Sequence, residues 1–197
     1  MFQASRLRIP RTTLSGLALA AASAAAAPVA AQEVVPNRAA AVEVRKQFMN
    51  DLDTLHAKFA ALANAFPAEK YSWRPMPGVR SVGEVFMHVA SEFYVYTPMA
   101  YGAKPSPVIP QERGAMQKFE QMSTRADVLK HLNDSFTYCQ SVLSALDPSA
   151  LTGTRSLFGG SYTIIETSFG MTADLHEHLG QLIAYARMNG IKPPWTK

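Results

Sequence analysis

Apolar residues recur at helical spacing in four long stretches of the chain. Phe48, Leu52, Leu55, Phe59, Leu62 and Phe66 follow one another at steps of three and four, one stripe of an amphipathic helix. They predict a first helix over 38–66, with Asn37 as N-cap and Pro67 as its stop. Val82, Val85, Phe86, Val89, Phe93 and Tyr96 predict a second helix over 81–99, opened by the capping box Ser81-Val82-Gly83-Glu84. Leu129, Leu132, Phe136, Cys139, Leu143 and Leu146 predict a third over 124–146, capped by Ser123 or Thr124 and ended by Asp147-Pro148. Met171, Leu175, Leu182 and Ala186 predict a fourth over 162–189, with Gly190 at the C′ position and Pro193-Pro194 beyond it. Gly170 and Gly180 lie inside that helix. Each costs about 1 kcal/mol relative to Ala, so each is expected to mark a close packing contact or a kink.

The connections are rich in Pro and Gly. Residues 68–80 contain Trp73-Arg74-Pro75-Met76-Pro77-Gly78, which cannot be helical throughout. Residues 101–122 carry Gly102, Pro105, Pro107 and Pro110, with a short turn expected at Phe119. Residues 149–161 end at Gly159-Gly160. No strand candidate has comparable strength. The pattern therefore predicts an all-α domain, a four-helix bundle with long connections, the second of which permits a crossover.

The N-terminal residues read differently. Arg6, Arg8 and Arg11 form a basic leader, 14–27 is an apolar run, and Pro28-Val29-Ala30-Ala31 supplies small residues ahead of Gln32. This is the three-part pattern of a cleavable signal peptide over 1–31. It places the domain at 32–197 and the protein outside the cytoplasm, periplasmic or secreted, with no stable membrane span after cleavage. Adjacent twin arginines are missing from the leader, which favours the general secretory route. Removing the leader takes three of the 19 basic residues and none of the 15 acidic ones, leaving 16 against 15. The basic balance is thus largely a targeting feature and gives no reason to expect nucleic acid as a partner. Cys139 is the single cysteine, so no internal disulfide forms, and it reads as a small buried apolar residue.

Five histidines carry the candidate chemistry: His56, His88, His131, His176 and His178. Asp174 and His178 are four residues apart, which puts both on one helix face, suited to a shared cation. Gln181 and Tyr185 continue that stripe. His176 is turned about 200° around the helix and reads as a surface residue. His88 sits in the second helix, with Glu84 and Glu92 one turn to either side. Carboxylate–histidine pairs at this spacing are common on helices, and each residue alone also fits a packed or solvated position.

A wider pattern adds to this. Tyr71-Ser72-Trp73-Arg74-Pro75, Pro77-Gly78-Val79-Arg80-Ser81-Val82-Gly83-Glu84 with His88, and the segment from Glu177-His178 to Tyr185-Ala186-Arg187-Met188-Asn189-Gly190-Ile191 with Pro193-Pro194 resemble the DinB-like (DinB/YfiT-like) family of metalloenzymes. That family is distinct from the DNA polymerase of the same name. The resemblance implies a bundle in which one histidine of the second helix and two of the fourth hold a divalent metal such as Zn, Ni or Fe. It also implies that homodimers are common. His88 and His178 match the first and last ligand positions. The remaining one, four residues before His178, is Asp174 in place of histidine. Two histidines and a carboxylate still form a competent open site.

The resemblance implies a metal-dependent enzyme, a transferase or hydrolase acting on a small-molecule substrate, in which Glu84, Glu92 and Tyr185 are the candidates for acid/base or orienting roles. Some relatives work with low-molecular-weight thiols, which export makes a less natural fit. The alternative is a non-catalytic exported helical protein that binds a metal or ligand, or dimerises, having lost the full site.

Overall fold

A computed structural model describes residues 38–196. The leader and the Asn37 cap lie outside the described residues. Five α-helices and one hairpin follow in order: α1 Arg38–Ala65, α2 Val82–Tyr101, α3 Ala115–Glu120, α4 Arg125–Ala145, β1 Thr154–Leu157, β2 Gly160–Thr163 and α5 Ile164–Met188. Helices α1, α2, α4 and α5 form the expected four-helix bundle. Helix α1 packs on α4 and α5, and α2 packs on the same two, so α1 and α2 sit diagonally.

Local chemistry explains the helix ends. Ser81 accepts from the Glu84 amide while the Glu84 side chain accepts from the Ser81 amide, as the capping box requires. Thr124, of the two candidate caps, accepts from the Asp127 amide. Thr163 and Glu166 form a second capping box that starts α5 two residues later than the apolar pattern suggests. Gly190 turns left-handed at φ +71, and the Ile191 amide donates to Ala186 O at 2.8 Å, closing α5.

The α1 stripe fills the bundle: Leu52, Leu55, Phe59, Leu62 and Phe66 are fully buried. Each contributes about 1.5–3 kcal/mol relative to exposure. Phe93 and Phe136 meet across α2 and α4 with ring centres 4.5 Å apart. Cys139 is buried among them, and burial pushes its thiol up to about 12. The thiol is therefore a packing group, not a nucleophile.

Three features differ from the sequence pattern. Gly170 and Gly180 make no close contact, since a Cβ at either would meet nothing within 4 Å. The close approach falls instead at Gly83, where a Cβ would collide with the backbone oxygen and Cβ of Ser123, so only glycine lets the start of α2 sit against that turn. Third, part of 149–163 is a hairpin, with Thr154 paired to Thr163 and Leu157 to Gly160. Four-residue strands carry too little alternation to read from sequence. Their turn places Phe158 at φ 51 and Gly159 at φ 79, the pair of positive angles that a tight two-residue hairpin needs. Phe158 is not a residue that favours this region, which costs about 1–2 kcal/mol.

Candidate metal centre

The site lies where α2 faces α5. His88 and Glu92 stand one turn apart on α2, and His178 reaches across from α5. His88, Glu92 and His178 each offer a ligand atom, all within 4.8 Å of one another. Among the described residues this is the one histidine–carboxylate group with that convergence. All three are mostly shielded, with side chains 13%, 18% and 15% exposed.

Each imidazole is held by its outer nitrogen. His88 Nδ1 lies 2.7 Å from Glu120 Oε1. Glu120 is fixed in turn by Ser91 Oγ at 3.2 Å and Arg80 Nε at 3.3 Å. His178 Nδ1 lies 3.3 Å from Gln181 Oε1. The Gln181 amide donates to the Tyr185 hydroxyl at 3.0 Å, and Tyr185 donates to Arg80 O at 3.2 Å. This relay sets the tautomer: Tyr185 must accept from Gln181, so the Gln181 oxygen faces His178 and receives its Nδ1–H. Both Nε2 atoms are left facing carboxylates: His88 Nε2 lies 3.2 Å from Glu92, and His178 Nε2 lies 3.9 Å from Glu92 and 3.6 Å from Asp174. Two ligands of one tetrahedral ion, with bonds of about 2.0–2.2 Å, lie about 3.3–3.6 Å apart. The two imidazole–Glu92 spacings bracket that range, so the donor set can hold a divalent cation.

Electrostatics agree with that reading. Burial opposes a charge on His88, yet hydrogen bonds to Glu120 and Glu92, and their charges, raise it to about 9. Burial alone would raise Glu92, but hydrogen bonds from His88 and Asp174 and the charges of both histidines hold it below the ordinary carboxylate value. Burial lowers His178, against the pull of Glu92 and Gln181. A proton on His88 is thus favoured between Glu120 and Glu92.

Asp174 sits at the rim. Its Oδ2 lies 3.6 Å from His178 Nε2, and its side chain is 45% exposed. Burial, then a hydrogen bond and charge repulsion from Glu92, raise it to about 7. The tight group thus contains Glu92 beside the two histidines, with Asp174 adjoining it.

The remaining residues singled out by sequence are spread around this centre. Glu84 is engaged elsewhere, bonded to the Ser81 amide at 2.7 Å and paired with Arg74 at 3.1 Å. Tyr185 is buried and serves the orienting relay. His176 is half exposed beside Asp51. His56 stacks on Phe136 with centres 4.7 Å apart, away from the pair. No sequence motif marks Glu120. It lies on the short helix α3, 32 residues from His88, inside a segment that reads as a Pro-rich connection. No spacing rule links it to His88.

A helical bundle with paired, tethered histidines and a carboxylate across two facing helices forms a candidate metal centre. Residues 51–182 match the DinB superfamily, and the chain belongs to it. No curated protein matches the chain.

Proposed function

We propose that the protein is an exported metal-dependent enzyme, a transferase or hydrolase of small molecules, with His88, Glu92 and His178 as metal ligands and Asp174 as a rim carboxylate. One observation carries the reading: both imidazoles are tied at Nδ1 and both present Nε2 to the same carboxylate. A purely structural histidine pair has no need of two independent orienting partners, whereas metal-binding histidines nearly always have them. A bound divalent ion acts as a Lewis acid that activates a nucleophile and polarises a substrate.

The chain's own groups have distinct tasks. Glu120 and Gln181 orient the ligands, Tyr185 and Arg80 hold those two in place, and Asp174 faces both the centre and an adjoining cavity. That position suits proton transfer to or from a bound molecule. Glu84 anchors α2 and, through α2, His88. Zinc, nickel and iron all suit two imidazoles and carboxylate oxygen. The leader pattern supports export, and a second copy of the chain is the proposed macromolecular partner.

The test is metal analysis by mass spectrometry on protein purified without a histidine tag, followed by a screen for turnover. About one divalent ion per chain in the wild type, lost in His88→Ala, is the expected result. A wild type that takes up no zinc, nickel or iron(II) refutes the metal centre and leaves the non-catalytic reading.

A further inference from the structure

A cavity of about 410 Å³ opens beside the metal centre, between α2, α5 and the β1–β2 hairpin. Its size falls in the range of small-molecule sites. Glu92 and Asp174 form one end of its wall, so a ligand inside can reach the centre. Along α5, Asp174, Gly170 and Glu166 recur every four residues and line the same cavity. Asp174 and Glu166 are thus separated by two turns, about 12 Å.

The walls are chemically one-sided. Val89, Phe93, Met171 and Leu175 give the inner part an apolar surface. Tyr96, Phe158 and Tyr162 make a further part of the wall aromatic. Every charged residue of the lining is acidic: Glu92, Glu166 and Asp174. The hairpin's Arg155 lies outside it, near Gly102, donating to Thr154 O at 3.0 Å. A divalent ion does not reverse this balance. Glu92, Glu120, Asp174 and Glu166 carry four negative charges when ionised, against two on the ion and one on Arg80.

Phe158 supplies an independent observation. It holds a left-handed backbone angle, φ 51, with its side chain 75% exposed and its ring centre 5.3 Å from that of Tyr96. The hairpin turn sets that angle, and a phenylalanine in place of glycine there stands its ring against Tyr96 at the cavity mouth. Such outliers cluster at ligand sites. Aromatic rings and carboxylates in one wall make a recognition site for an organic ammonium group.

We propose that the cavity binds an apolar primary or substituted amine, with its ammonium group among Tyr96, Phe158, Tyr162 and Glu166 and its apolar body directed toward Glu92 and Asp174. The proposal rests on the metal-centre reading for what happens at the inner end, but not for binding itself. It names amines as the substrate class and disfavours carboxylates and other anions.

The test compares 4-phenylbutylamine, 4-phenylbutan-1-ol and 4-phenylbutyrate by isothermal titration calorimetry, on metal-loaded and on chelator-treated protein. The amine is expected to bind about tenfold more tightly than the acid, with the alcohol between them. Glu166→Gln preserves the capping box and should narrow that ratio by about two- to fivefold, the range of an exposed charge pair. Phe158→Gly should weaken the amine while raising Tm, since glycine accepts the turn angle without strain. Gly170→Trp should abolish binding of all three probes by filling the cavity, with metal content unchanged. Equal or tighter binding of the acid, or an unchanged amine preference in Glu166→Gln, overturns the proposal. Loss of metal uptake with amine preference intact refutes the metal centre alone.

Discussion

The imidazoles of His88 and His178 meet edge to face, with ring centres 4.9 Å apart and planes at 87°. Helices α2 and α5 bring the two rings together, and Glu120 and Gln181 turn both Nε2 atoms toward Glu92. Removing either ring therefore removes one ligand from a pair. His88→Ala and His178→Ala should each reduce metal content to background, as read by mass spectrometry of the purified variant.

The two carboxylates near the pair should not be equivalent. Glu92→Gln should weaken metal binding by about 100-fold or more, while Asp174→Asn should cost about tenfold or less, by analogy with the range for ligands and their outer partners. Competition with a chelator of known affinity measures both. Asp174→His should raise affinity by adding a nitrogen donor at the family position. Equal losses for Glu92→Gln and Asp174→Asn would show that Asp174 is a ligand of the same rank.

Glu120 acts at one remove. Its bond to His88 Nδ1 makes the ring a better ligand and fixes its orientation. Glu120→Gln should lower metal affinity by about 10–100-fold while leaving His88 in place. The sign of a positioning role is a change in the pH dependence of metal binding, which loss of a merely structural contact would not produce.

Metal binding should release a proton at pH 7.5. His88 is raised to about 9 in the metal-free fold, so it is charged there, and the ligand form is neutral. Affinity should therefore climb with pH up to about 9, by up to about tenfold per unit. Calorimetry in buffers of different ionisation enthalpy counts the proton. In the metal-free protein the sign is opposite. The folded value lies above imidazole's ordinary 6.5, so the stabilisation from charged His88 is complete below that pH and is lost as pH rises through about 9.

Two glycines should respond in opposite directions. Gly83→Ala forces a Cβ into the backbone of Ser123 and should destabilise by about 1–3 kcal/mol, the range for overpacking. Gly180→Ala enters open space on an exposed helix face and should stabilise by about 0.5–1 kcal/mol. Thermal unfolding of the two variants side by side separates packing from backbone entropy.

The proposed export makes a prediction of its own. Protein recovered from the extracytoplasmic fraction should begin near Gln32, and intact-mass measurement reads this directly. Recovery of the full chain there, leader included, would overturn cleavage at that point.

The helices were legible in the chain alone because their signals are local. Apolar residues at steps of three and four, Ser81 with Glu84, Pro67 and Gly190 act within one or two turns, and each of the four long helices falls within about two residues of where they put it. The pairing of His88 with His178 was legible only through the family resemblance, since nothing in their spacing brings two helices together. Tertiary structure alone brings Glu92 within reach of both rings. Glu92 and Asp174 are both four residues from a histidine, so helical spacing treats them alike. The packing of α2 on α5 brings Glu92 near both Nε2 atoms and leaves Asp174, more exposed, beside that of His178 alone. Glu120 and the hairpin were hidden for the same reason. A ligand's partner 32 residues away and a four-residue strand gain their meaning from contacts distant in sequence, which periodicity does not encode.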